Sequence, residues 1–445
     1  MGRARQIERR ATLKGVLQLV LIVTVFCFAM AALYQRMRFP SREPTRTWID
    51  HLDLAEPAFT ARCGPGDESP LLTVVTSPEK VDWVQHGADT FMDTCRNMRI
   101  RVVPRTDFQA IAEIEAGSLT PSLWLPSDEL FADYLEDRWI LEDRPPLTRG
   151  PSLLRMPVVL LMWSDRADAL EVLWPDAEAS PEFVAELGCP GVARGPATSS
   201  ETPAPRSWQD WFDDETAHSR RATADTIASW STIDVRYTTP TRSSMGALVL
   251  IAMVEGYLSA NNISPTDEDE LAHVLELQGD ALEDWLRRCD AHGPREFDGP
   301  PRTLAQRMFQ RGPTGLDGVL IYEHLALEIL AQDQPSMQII YPQGLTVADH
   351  PSVTFAGENA RSAQLFAQSL AAETMQHQAV SHNLRPSNPK IVLRDAAVPG
   401  AQNLFLRLRE HGVRLELAGS EPGPTLQRDP LRELLEIWSD ATGRN

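Results

Sequence analysis

The chain has 445 residues, 42% of them hydrophobic, and a formal net charge of -20 at neutral pH. That length suits two or three domains of the usual ~100–200 residues, and the hydrophobic share excludes a mainly disordered chain. An acidic balance of this size repels phosphate and excludes nucleic acid as the main partner. The charge is unevenly spread: eight basic side chains between Arg3 and Arg42 stand against Glu8 alone, which leaves about -27 for the rest. Only Lys14, Lys80 and Lys390 are lysines.

In chain order, residues 1–14 form a basic tail that is expected to face the cytoplasm. Residues 15–33, GVLQLVLIVTVFCFAMAAL, carry no charge. At 1.5 Å per residue such a run just crosses a ~30 Å hydrocarbon core. The larger basic cluster precedes it, which favours the N-terminus inside and the body outside. The expectation is a single-pass anchor in the inner membrane. Cleavage as a signal peptide, near Ala29-Met30-Ala31, is the competing reading. Residues 34–69 are a polar tether. Cys63, Cys95, Cys189 and Cys289 then fall in an exported body, where disulfides persist. Four cysteines allow three pairings, and local spacing favours Cys63–Cys95 with Cys189–Cys289.

The body alternates short apolar runs with amphipathic stretches. LLTVVT (71–76), IRVVP (100–104) and SLWLP (122–126) have the pattern of buried strands, each followed by a helix at 81–95, 108–117 and 127–137. Ser127 stands at the expected N-cap of the last of these. MPVVLLMW (156–163) is a further strand, and 171–206 an acidic, Pro-rich insertion. SWQDWFDD (207–214) has the look of a short capped helix. Then come a strand at 233–240, a turn into a long apolar helix at 241–260, and a helix at 266–290. A loop and helix follow at 299–315, with a strand or helix start at 318–332. A strand at 337–344, a helix at 361–380 and a closing amphipathic helix in RDPLRELLEIWSD complete the pattern. Strand–helix alternation of this kind implies parallel strands with helical crossovers.

Ser77-Pro78-Glu79-Lys80 fits S-x-x-K, a spacing that sets an amine one turn from a serine hydroxyl. Enzymes built on it need companion elements. Ser381-His382-Asn383 superficially fits one, and no K-T-G follows. The turn therefore reads better as a ligand wall than as a nucleophile, with Lys80 as a solvated side chain, and no enzyme activity is expected. No G-x-S-x-G or P-loop occurs, no cofactor is expected, and His377 and His382 lie five apart, which does not suit a metal.

The anchors LLTVVTSP, SLWLPSDELFADYL, RMPVVLLMW, SWQDWF, YTTPTRSSMGALVL, IIYPQG and the helix before NLRP, in this order, resemble the type II periplasmic solute-binding proteins. The resemblance is to the modules related to molybdate- and sulfate-binding proteins, which in some bacterial proteins precede a von Willebrand A domain. It implies an α/β fold of two lobes, the first from 70–155 and 350–440 and the second from 156–345, joined by strands near Arg155–Trp163 and Met337–Pro351. It also implies a small polar solute, an oxyanion among the candidates, held in the cleft and passed to a transporter permease or reported to a sensor.

In parallel α/β lobes, ligands sit beyond the carboxyl ends of strands, where helix starts offer unpaired N–H groups. Thr76, Ser77, Ser127, Ser243 and Ser244 occupy such turns, and Tyr322 and Tyr341 are candidates for the opposite wall. Arg155 and Arg242 are candidate sources of positive charge. The bland alternative is that the hydroxyls only cap helices, worth ~1 kcal/mol each, and that the protein is a surface scaffold on the same fold.

Overall fold

The first apolar run, LLTVVT, forms β1 (Leu71–Thr76), with five of its six residues buried. Here and below the structure is a computed structural model. It describes residues 71–142, 144–174, 180, 182–189, 208, 230, 233–263, 268–291, 296–332, 336–343, 345, 347–396, 403–417 and 429–444. The chain divides into two units, Met1–Asp53 and Leu54–Asn445, and every described residue belongs to the second. The basic tail, the expected anchor at 15–33, the tether with Cys63, much of the 171–206 insertion and most of SWQDWFDD lie outside the described residues. No helix among the described residues is long and apolar enough to cross a membrane.

From β1 the chain turns through Pro78–Lys80 into α1 (Val81–Thr94), then β2 (Arg99–Pro104), α2 (Asp107–Glu115), β3 (Leu123–Leu125) and α3 (Glu129–Leu141). β1 pairs in parallel with both β2 and β3. β4 (Thr148–Arg149) closes this sheet, whose order is β2-β1-β3-β11-β4 with β11 at Val353–Thr354. Helix starts here obey local rules. Thr106 and Gln109 form a capping box on α2, satisfying two of the orphan donors that every helix start leaves. Asp128, not Ser127, caps α3 by accepting from the Leu130 amide at 3.0 Å. A carboxylate at that position also gains from the helix dipole, so Ser127 is left one residue outside the helix.

The second sheet begins with β5 (Leu154–Trp163), which is nearly all buried. It continues through α4 (Ser164–Leu173), α5 (Glu182–Gly188), β6 (Val235–Thr238), α6 (Ser244–Ala260), α7 (Glu268–Asp290), β7 (Glu296–Phe297) and α8 (Pro301–Arg311). β8 (Gly318–Tyr322), α9 (Glu323–Leu330), β9 (Met337–Ile340) and β10 (Val347–His350) complete it. The stretch 318–332, left between strand and helix by its sequence, is a strand followed by a helix. The sheet order is β10-β5-β8-β6-β7, with β9 also paired to β5. α6 is apolar all round because it is buried all round, as such a helix must be, from Ser244 to Val254 without a break.

Each sheet with the helices packed on it makes one α/β lobe of a single compact unit, Leu54–Asn445. The passage between β4 and β5 joins the two lobes once. β10 runs antiparallel to β5, and β11 runs antiparallel to β3 and β4, so the chain crosses back there. α10 (Ala360–Ala371) and α11 (Glu373–Ser381) then pack on the first lobe. The single helix expected over 361–380 is two, because Ala372 is extended at φ -65°, ψ 147°. A third passage follows: Leu154 bridges Pro386, and Arg155 N–H donates to the Arg385 carbonyl at 3.0 Å. α12 (Leu404–Arg407) leads to a turn against β9, and α13 (Asp429–Thr442) lies on α7 with a smaller contact to α3.

Cys189, at the end of α5, is bonded to Cys289, at the end of α7, across 100 residues of sequence. A cross-link over a loop of that length removes much chain entropy from the unfolded state. Cys289→Ser is expected to lower the unfolding free energy by roughly 2–5 kcal/mol, read by urea titration. An unchanged midpoint would show that the bond adds nothing to the fold.

Candidate functional site

The parallel strands of the first lobe end in register: Thr76 sits beside Pro104 on one side and Leu125 on the other. Their carboxyl ends therefore deliver three turns to one place, Ser77–Lys80, Arg105–Asp107 and Pro126–Asp128. In the second lobe, β6 and β8 are also parallel. β6 leads into α6 at Ser244, and β8 ends at Tyr322, two residues before His324. The two sets of strand ends face each other across the seam between the lobes.

Lys80 lies in that seam and is 1% exposed. The expectation of a solvated side chain is therefore wrong. The Pro78–Lys80 turn points the side chain inward, and its ammonium has acceptors on three sides. It donates to Ser77 Oγ at 3.2 Å, to the Pro126 carbonyl at 2.8 Å and to His350 Nδ1 at 2.8 Å. With Nδ1 accepting, the His350 proton is on Nε2. Burial brings the Lys80 ammonium down to about 8, against the pull of Asp107 and Glu79. Ser77 and Lys80 thus stand as close as the S-x-x-K spacing suggested. However, Ser77 is 1% exposed and the ammonium is fully engaged, which is a structural arrangement and not an activated nucleophile.

Asp107, the first residue of α2, is fully buried. It accepts from the Ser127 amide at 3.1 and 3.3 Å, and from the Ser244 hydroxyl at 2.6 Å. The bond from Ser244 crosses from lobe to lobe. Burial raises the Asp107 carboxyl, opposed first by the charge of Lys80 and then by the bonds from Ser244 and Ser127. Lys80 and Asp107 attract without a direct ion pair. Ser244 reaches Asp107 because the first turn of α6 sits hard against β6: a Cβ on Gly246 would lie 2.1 Å from the Thr238 carbonyl oxygen. Ser243 caps that helix, accepting from Gly246 N–H at 3.4 Å and from the Thr238 hydroxyl at 2.7 Å. Asp128 adds a tie from the first lobe to the crossing strand by accepting the Asp349 amide at 3.1 Å. Burial pushes its carboxyl up to about 7.

Three further seam side chains, His324, His350 and Tyr322, are held uncharged. Burial, with Arg302 and Lys80, brings the His324 imidazole down to about 3. Burial, with Lys80 and His324, holds His350 well below its ordinary value. Burial first, then the carboxylates of Glu79, Asp107 and Asp128, holds the Tyr322 phenol protonated. The Tyr322 ring lies 6.0 Å from that of His324 and 6.3 Å from that of His350. The Thr76 and Tyr322 hydroxyls, both ring nitrogens of His324 and Nε2 of His350 are buried without a hydrogen-bond partner. Native interiors rarely leave such groups unpaired.

Of the residues expected from sequence, Thr76, Ser77, Ser127, Ser244 and Tyr322 come to this seam. Ser243 stands beside it as a cap. Tyr341 turns elsewhere: its hydroxyl donates to Glu323, which is also held by Arg385 at 2.6 Å, and accepts from the Arg414 amide at 3.2 Å. Arg242 is spent on an exposed pair with Asp298 at 2.9 Å, and Arg155 bonds through its backbone to the third passage. Asp107, Asp128, His324 and His350 were not expected. Their positions carry no local sign: Asp107 follows Arg105-Thr106, Asp128 follows Ser127, His324 follows Glu323 and His350 follows Asp349. Among the described residues no group of three or more His, Cys, Asp or Glu is placed to hold a metal ion.

No protein-family model matches the chain, and no curated protein matches it in sequence. Solved structures give similarities of chain course. One is the periplasmic binding protein AfuA from Actinobacillus pleuropneumoniae with fructose-6-phosphate bound, at 11% identity over 85% of this chain and 99% of that one, TM-score 0.49. Another is iron-bound HitA from Pseudomonas aeruginosa, at 12% identity over 83% and 99%, TM-score 0.47. A third is the substrate-binding protein of an ABC transporter from Agrobacterium tumefaciens, at 15% identity over 86% and 96%, TM-score 0.43. Likeness at this level says nothing of a ligand for this chain.

Asp128 gives the site a pH signature. Its carboxyl binds a proton more tightly folded than unfolded, so its contribution is largest below the unfolded value near 4 and is lost as pH rises to about 7. Between pH 4 and 8, wild type should lose on the order of 1–3 kcal/mol more stability than Asp128→Asn. Parallel pH profiles from urea unfolding of the two proteins would contradict this.

Proposed function

We propose that this chain is an extracytoplasmic solute-binding protein that closes two α/β lobes on a small polar solute. The observation that carries the reading is the seam itself. Strand ends from both lobes meet there, Asp107 and Ser244 bond across it, and Thr76, Tyr322, His324 and His350 offer unpaired polar groups in it. Polar groups that converge between lobes are what a small-molecule site requires. Closure would turn on the passages between Arg149 and Leu154, between His350 and Val353, and at Arg385–Pro386. The Cys189–Cys289 bond suits an oxidising compartment. Together with the uncharged run at 15–33, it supports a single-pass anchor in the inner membrane with the body outside. A transporter permease or a membrane sensor is the partner this arrangement suits, and binding is its whole activity.

One observation favours a surface scaffold on the same fold. The Lys80 ammonium has all its donors used within the chain, so the seam is closed in part by the protein's own groups.

Thermal unfolding of the full chain against sugars, polyols, amino acids, sulfate, phosphate and molybdate separates the two. A solute at ~100 times its dissociation constant adds ~2.7 kcal/mol, and the resulting shift should vanish in Thr76→Val and Tyr322→Phe. No shift with any compound would transfer the reading to the scaffold.

A further inference from the structure

The partners of Asp107 are those of a bound anion. Its two oxygens take the Ser127 amide and the Ser244 hydroxyl. α2, α3 and α6 all begin around it, with nine, thirteen and seventeen residues. Helix starts converging in this way favour negative charge and offer donors to it. The cation that acts on it is Lys80, whose own donors go elsewhere, so its positive field falls on carboxylates of the chain itself, Asp107 first and then Glu79. Independently of the helix starts, the seam holds the buried and unpartnered hydroxyls of Thr76 and Tyr322, and the unpartnered imidazole nitrogens of His324 and His350. All of these groups are neutral donors or acceptors.

We propose that Asp107 is a built-in anion, seated where a free oxyanion would otherwise bind, so that the seam excludes oxyanions and takes an uncharged, hydroxyl-bearing solute. This rests on the solute-binding reading above. A second anion would meet the Asp107 carboxylate in a buried place, where like charges repel strongly. A sugar or polyol asks only for alternating donors and acceptors, and the neutral imidazoles and hydroxyls supply both. Asp107 is thus a specificity-determining residue, and it latches the two lobes through Ser244.

The test has two arms on the full chain. In the first, Asp107→Ala is unfolded by heat in formate and in sodium chloride of equal ionic strength. Formate replaces the lost carboxylate, so it should raise the melting temperature of the variant by several degrees and leave wild type unmoved. Equal effects on both proteins would overturn the seat. The second arm holds even if the variant does not fold. Wild type is titrated calorimetrically with sulfate, phosphate and molybdate, and with a panel of neutral sugars and polyols. Heat from a neutral compound alone supports the proposal, and saturable heat from any of the oxyanions overturns it. Rescue by formate with no heat from any compound would leave Asp107 as a latch and remove both the solute class and the solute-binding reading. Heat from a neutral compound without rescue would keep that reading and remove the built-in anion.

Discussion

The ammonium of Lys80, removed from water, constrains everything around it. A buried charge is tolerated only with its donors satisfied and an opposite charge at hand. Its acceptors come from distant parts of the chain: Ser77 three residues back, the Pro126 carbonyl at the end of β3, and His350 at the end of β10, 270 positions away. Misplacing any of them strands the charge. The first lobe and the crossing strand are therefore held in one arrangement, and Asp107, which offsets the charge, carries the connection on to Ser244 and the second lobe.

Packing makes that precision possible. The strand ends Thr76, Pro104 and Leu125 are level because β1, β2 and β3 pair in parallel register. Gly246 lets α6 start close enough to β6 for Ser244 to reach across. Away from the seam, Glu323, Arg385 and Tyr341 form a buried network where the chain makes its third passage. Arg385 is 5% exposed and binds Glu323 through two nitrogens, a geometry that suits arginine better than lysine. This network locks the segment around Arg414 against the second lobe, whereas the seam keeps polar groups unpaired.

The alternation of strands and helices was legible because it is written locally, in apolar runs and amphipathic periods. So were the turns bearing Thr76, Ser77, Ser127 and Ser244, since small hydroxyl residues after a strand are a local sign. What was not legible depends on contacts far apart in sequence. Lys80 looks exposed until His350 is beside it. Tyr341 looks like a wall of the cleft until Glu323 and Arg414 engage it. The cap of α3 moved to Asp128 because a carboxylate competes better than a hydroxyl for the first-turn amide and also gains the Asp349 amide. The break at Ala372 leaves no sign in an alanine-rich helical sequence. Asp107 has no local sign because the groups that define its role, the Ser127 amide and the Ser244 hydroxyl, lie 20 and 137 positions away.

The most direct measurement is the distance between the lobes, taken by spin labels on the exposed positions Asp89 of α1 and Gln306 of α8 in wild type and in Asp107→Ala. If the carboxylate closes the seam, wild type shows one narrow, short distance, and the variant gains a longer and broader one that a neutral solute shortens again. The same narrow distribution in both proteins would mean that the lobes are held by other contacts and that the Asp107–Ser244 bond is a passenger.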